Sequence, residues 1–99
     1  MRKVFNMLRV DQIRDWVKKY ELGYYFDPGG MSFFCPAFKD IKPCHTSEYI
    51  DIESGKYKDD RDFNKLKNWV EENAEKFMSP KPKEYTYYSE GIIKKIYNG

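Results

Sequence analysis

The chain has 99 residues, of which 40% are apolar and 34% charged, and its net charge is +2. That length gives one domain, 1–99, with a modest core. The charge is too small for a uniformly basic nucleic-acid surface, and no run approaches the ~20 apolar residues of a membrane helix.

The N-terminus, MRKVFNMLRV, carries positive charge but neither the apolar core nor the cleavage site of a secretory signal. A cytoplasmic protein with reduced thiols is therefore expected. KVFNMLRV fits either a first strand or an extra turn of helix. From Val10 the pattern is helical: Val10, Ile13, Val17 and Tyr20 share one face, with Trp16 beside them. Asp11 is a candidate N-cap and Gly23 a stop signal.

Asp27-Pro28-Gly29-Gly30 is a strong turn signal between two aromatic runs, Tyr24–Phe26 and Met31–Phe34. It predicts a β-hairpin with a four-residue connection. In SEYIDIESGKYK, Ile50 and Ile52 alternate with polar residues. That reads as a strand which Ser54-Gly55 turns back on itself.

Phe63, Leu66, Val70, Ala74 and Phe77 predict a second amphipathic helix, with Trp69 at the stripe's edge and Met78 assigned to the core. Asp59 or Asp60 caps it, and acids crowd its first turn. Ser79-Pro80-Lys81-Pro82 ends it. Tyr85–Tyr88 reads as a strand, Gly91 breaks it, and Ile92, Ile93, Ile96 and Tyr97 fit a short helix or a strand equally well. The order predicts an α+β protein, with a small antiparallel sheet of hairpins packed against two amphipathic helices.

The stretch FFCPAFKDIKPCH holds both cysteines and the only histidine. Zinc takes thiolate and imidazole ligands in a tetrahedron. Cys35, Cys44 and His45 supply three, all within eleven residues. Asp40 lies inside the loop as a fourth ligand, with Asp27 and Glu48 as alternatives. Neighbours on a regular strand face opposite ways, so Cys44 and His45 converge only from irregular backbone, for which Pro43 speaks. Buried free thiols and a loop-closing disulfide are the competing readings. A structural zinc that pins the loop, and so orients Lys39, Asp40 and Lys42, is the expectation carried forward. No nucleophile–base pair is identified, so no catalysis is expected.

Six basic and two acidic residues fall in 1–20, and four basic and two acidic in 78–99. Lys94 and Lys95 with Tyr85, Tyr87, Tyr88 and Tyr97 form a basic, aromatic tail that fits a protein-binding edge or a stacking surface for single-stranded nucleic acid. The short, Lys-, Tyr-, Asp- and Asn-rich chain without catalytic motifs resembles small phage accessory proteins, in particular anti-CRISPR inhibitors of type II effector nucleases. The resemblance implies a non-enzymatic, protein-binding inhibitor in the host cytosol, with a CRISPR effector nuclease as its partner. The FFCP…PCH segment also resembles the zinc-binding region of primases, but lacks the second CxxC pair. The rival reading is a nucleic-acid-binding module that uses Arg2, Lys3 and Arg9 with the Lys/Tyr tail.

Overall fold

The computed structural model describes residues 9–47, 49–54, 56–57 and 62–98. The protein is α+β. In chain order the elements are α1 (Arg9–Lys19), β1 (Gly23–Asp27), β2 (Gly30–Phe34), β3 (Cys44–Thr46), β4 (Ile50–Asp51), β5 (Lys56–Tyr57), α2 (Phe63–Phe77), β6 (Glu84–Ser89) and β7 (Ile92–Tyr97). Strands β1, β2 and β3 form an antiparallel sheet in that order, while β4–β5 and β6–β7 are two-stranded hairpins. No helix among the described residues is long and apolar enough to cross a membrane. Residues 1–8, with the strand-or-helix choice at KVFNML, lie outside the described residues, as do Asp59 and Asp60.

The helical stripes become the core. Val10, Ile13 and Tyr20 from the α1 region meet Phe63, Leu66, Val70 and Phe77 of α2, with Leu22, Met31 and Phe33 between them. Trp16 stacks on Phe63 at 5.6 Å and Tyr20 packs on Phe77 at 5.3 Å, so aromatic pairs join the two helices. Met78 does not join this core. It is the C-cap of α2 and is exposed, because the apolar stripe ends one residue earlier at Phe77.

The helix ends differ from expectation in instructive ways. Gly23 is not the stop of α1. The Leu22 N–H donates to the Val17 carbonyl at 3.0 Å around Glu21, which holds the left-handed φ of 54°. This six-residue closure normally has glycine where Glu21 stands. Gly23 instead opens β1, where a Cβ would overlap the Tyr88 carbonyl and the Phe34 ring. At the start of α2 no acid lies in the first turn. Asp62 occupies the N-cap, where its carbonyl accepts the Leu66 N–H at 3.1 Å but its side chain makes no cap bond; its carboxylate instead accepts the Ser47 N–H at 2.7 Å. The acids therefore precede the helix, and one of them is spent tying β3's exit to it.

The first hairpin is tighter than predicted. Asp27 pairs with Gly30, which leaves Pro28-Gly29 as the connection. Gly30 adopts φ 143° and lies against the Thr46 carbonyl, so a side chain there meets both strain and backbone. Of the strand read around Ile50 and Ile52, only Ile50–Asp51 pairs, with Lys56–Tyr57. The Asp51 carboxylate accepts the N–H groups of Glu53 and Ser54 at 3.1 and 3.2 Å, so it forms the turn. Ile92–Tyr97 is a strand in full register with β6, from Ser89 opposite Ile92 to Glu84 opposite Tyr97.

Candidate protein-binding face

The sheet has an inner and an outer face, set by alternation. Phe33 and Cys44 are register partners, as are Ser32 and His45, so the two pairs point to opposite sides. Phe33 and Cys44 belong to the buried core cluster. Cys44 and His45 therefore diverge from a regular strand.

The four residues expected to share a metal are distributed as follows. Cys35 and Cys44 are buried free thiols. Burial raises both above the ordinary thiol value, Cys44 to about 11. His45 lies on the outer face. Asp40 is an exposed carboxylate that accepts the Lys76 ammonium at 3.1 Å and is held below its usual range by that bond. Of the alternatives for the fourth position, Asp27 is beside His45, and Glu48 lies outside the described residues. Among the described residues, no three His, Cys, Asp or Glu side chains are grouped as metal ligands would be.

The loop from Cys35 to Pro43 is secured by α2. The Trp69 indole N–H donates to the Lys42 carbonyl at 2.8 Å, and Lys76 reaches Asp40 while lying over the Phe38 ring at 5.6 Å. Two internal turns, Phe38 N–H to the Cys35 carbonyl and Ile41 N–H to that of Phe38, shape it. Lys39, Asp40 and Lys42 do face solvent.

On the outer face a polar clasp forms from three strands. Ser32 Oγ lies 3.1 Å from His45 Nδ1, and Asp27 Oδ2 lies 3.4 Å from the same nitrogen. Asp27 Oδ1 also accepts the Gly29 N–H at 2.9 Å, and Tyr49 Oη donates to the carbonyls of Asp27 and Pro28. The residue types are those of a hydrolytic triad, but both partners meet one ring nitrogen. A relay places nucleophile and carboxylate on opposite nitrogens. Ser32 is also buried. What the geometry can do is fasten the β1–β2 turn to β3.

Beside the clasp runs an apolar strip. Tyr25 packs on Phe34 at 5.9 Å, and Phe34 packs on Tyr88 of β6 at 4.7 Å. Phe34 also covers Gly23, filling the space left by the missing side chain. Tyr88 pairs across the ribbon with Ile93, and Tyr97 follows on the same face. Ile93 is 81% exposed and Tyr97 70%. Next to this face, the ribbon and the Pro36–Asp40 loop enclose an open cleft of about 600 Å³ with Lys39 and Lys95 on its walls.

The ribbon is attached to the sheet by its turn. The Glu90 N–H donates to the Tyr24 carbonyl at 2.8 Å, the Ser89 hydroxyl accepts the Tyr24 N–H at 3.0 Å, and Glu90 Oε2 accepts the Phe26 N–H at 3.1 Å. Tyr87 Oη reaches the Leu22 carbonyl at 2.9 Å, and Tyr85 Oη reaches the Glu21 carboxylate at 2.7 Å. These bonds cap the edge of β1 and turn two tail tyrosines inward. Burial first, then the Glu21 bond, raises the Tyr85 phenol above its ordinary value.

The sequence marks the tail's share of this face, Tyr88 and Tyr97, as a protein-binding edge, but not its continuation through Tyr25 and Phe34, which come from a segment far away in the chain. Asp27, Ser32 and His45 looked like turn, strand and metal ligand. The Lys94-Lys95 pair inside an apolar run adds the mark of an edge strand. No family model, curated protein or solved structure matches this chain.

Proposed function

We propose that the protein works without catalysis, by binding another protein through the strip from Tyr25 to Ile93 and Tyr97. The carrying observation is the exposure of Ile93 and Tyr97 on a two-stranded ribbon, in line with the Tyr25–Phe34–Tyr88 stack. Aromatic side chains with a polar tip are what protein interfaces favour at their centres. The tail lysines argue the same way. Lys95 lies 3.4 Å from Glu84 and Lys94 lies over the Tyr87 ring at 5.3 Å, so the ribbon balances part of its own positive charge and offers no continuous basic track to a phosphate backbone. Arg9 likewise lies over the Phe63 ring at 4.9 Å. Inhibition by occlusion is the proposed mode. The resemblance to phage inhibitors gives the first partner to try, a CRISPR effector nuclease.

The test places a photo-crosslinking amino acid at position 97 and compares capture with and without Ile93→Arg. Position 93 is largely in water, so folding should survive the change. A protein crosslink that Ile93→Arg abolishes supports the reading. Crosslinks to nucleic acid alone, or protein crosslinks indifferent to Ile93→Arg, overturn it.

A further inference from the structure

The proposed face ends at a strand edge whose chemistry specifies more. Among the described residues β7 pairs only with β6, and it is exposed or half-exposed along its whole length. The edge of β1 is capped by Ser89 and Glu90, and β3 lies against α2. Beyond the end of β7 the Asn98 N–H donates to the Lys83 carbonyl at 2.6 Å. Antiparallel pairs alternate between hydrogen-bonded and not. Counting back by twos, Ile96, Lys94 and Ile92 bond inward to β6. The N–H and C=O groups of Ile93, Lys95 and Tyr97 are therefore left on the open side.

What can pair there is limited by the two central lysines. Suppose a second copy docked its own β7 antiparallel. The registers that pair at least five residues and set open amides against open amides place position 94 opposite 94 or 95 opposite 95. Each puts lysine directly across from lysine, which is destabilising. A strand with two adjacent carboxylates meets the opposite condition. Its neighbouring side chains point to opposite faces, as do those of Lys94 and Lys95. Apolar residues on either side of the carboxylates would then lie opposite Ile92 and Ile93 and opposite Ile96 and Tyr97.

We propose that β7 receives an extended acidic segment of a partner protein as an added antiparallel strand, with two adjacent carboxylates across from Lys94 and Lys95. This inference rests on the protein-binding reading of the same face. Main-chain bonds to Ile93, Lys95 and Tyr97 supply the attachment, and the charge pairs set the register.

The experiment uses the isotope-labelled full chain and two short synthetic peptides. Both carry β-branched residues around a central pair, Glu-Glu in one and Lys-Lys in the other. Amide exchange is followed by NMR. The Glu-Glu peptide should slow exchange at Ile93, Lys95 and Tyr97 while leaving the already bonded Lys94 and Ile96 nearly unchanged. The Lys-Lys peptide should bind about tenfold more weakly, from two reversed charge pairs. Lys94→Glu/Lys95→Glu should invert that preference, and the peptide comparison on the unaltered chain stands even if this variant folds poorly. Four results overturn the proposal: no added protection at those three amides; equal binding of the two peptides; amides already protected in the free chain, which would mean that its own residues cover the edge; or self-association through β7. If the photo-crosslinked partner is captured through Ile93 yet these amides stay unprotected, the binding face survives and strand addition does not.

Discussion

Glu21 is held in a conformation that glycine would adopt without cost, and its carboxylate accepts a hydrogen bond from Tyr85. The two effects oppose each other, and their sizes can be separated. A non-glycine residue at a left-handed φ costs about 1 kcal/mol. A hydrogen bond to a charged group contributes about 1.5 kcal/mol. Glu21→Gly releases the first and loses the second, so stability should change by no more than about 0.5 kcal/mol. Tyr85→Phe should cost about 1.5 kcal/mol, because Glu21 is exposed and regains water when the phenol goes. In the Tyr85→Phe background nothing remains to lose at position 21, and Glu21→Gly should stabilise by about 1 kcal/mol. The assay is urea unfolding of all four chains, followed by the fluorescence of Trp16 and Trp69. A coupling near 1.5 kcal/mol is expected from the cycle. Equal gains from Glu21→Gly in both backgrounds would show that the bond contributes nothing. A loss in the Tyr85→Phe background would refute the strain argument.

Other expectations follow from the same geometry. Gly30→Ala should destabilise by about 3 kcal/mol or more, since its Cβ meets the Thr46 carbonyl at an unfavourable φ; a shift in urea midpoint well below that would show that β2 and β3 can part. Trp69→Phe keeps the ring but drops the bond to Lys42, and should cost about 1 kcal/mol with faster amide exchange confined to residues 38–42. Burial raises the Cys44 thiol from 9.0 to about 11, so the fold retains a proton that the unfolded chain gives up. Its contribution is complete below pH 9 and lost as pH climbs toward 11, by about 2 kcal/mol, and Cys44→Ala should flatten that part of the stability profile. Because Cys44 and His45 lie on opposite sides of β3, Cys44→Ser and His45→Gln should be additive within about 0.5 kcal/mol, with or without chelator. A larger coupling that a chelator removes would show an ion shared between them.

The helices were legible because their periodicity reports burial directly. Val10, Ile13 and Tyr20 in one segment, and Phe63, Leu66, Val70 and Phe77 in the other, occupy the positions their spacing implies. The first hairpin was legible from Asp-Pro-Gly-Gly. Two features were not legible, and both depend on contacts distant in sequence. Gly23 reads locally as a helix stop, yet its lack of a side chain serves the approach of Tyr88 and Phe34, residues 65 and 11 positions away. That contact in turn lets Glu21, not glycine, carry the left-handed residue, because Tyr85 holds the Glu21 carboxylate.

The second feature is the tail. IIKKIY fits a helix, where Ile92, Ile93, Ile96 and Tyr97 form one stripe, and also a strand, where Ile92 and Ile96 fall on one face and Ile93 and Tyr97 on the other. Only pairing with β6 decides between them, and β6 is itself placed by Ser89 and Glu90 against β1. Once the strand is fixed, the lysines change meaning. As helix residues they would be a solvated side. At the centre of an open edge they oppose self-pairing and select for carboxylates. The attachment therefore predicts its own dependence: Ser89→Ala with Glu90→Ala should loosen the ribbon from β1, raising exchange at Tyr24 and Phe26, while the β6–β7 register remains. Loss of the β7 register in that variant would mean that the ribbon is held by the sheet and not by its own cross-strand pairs.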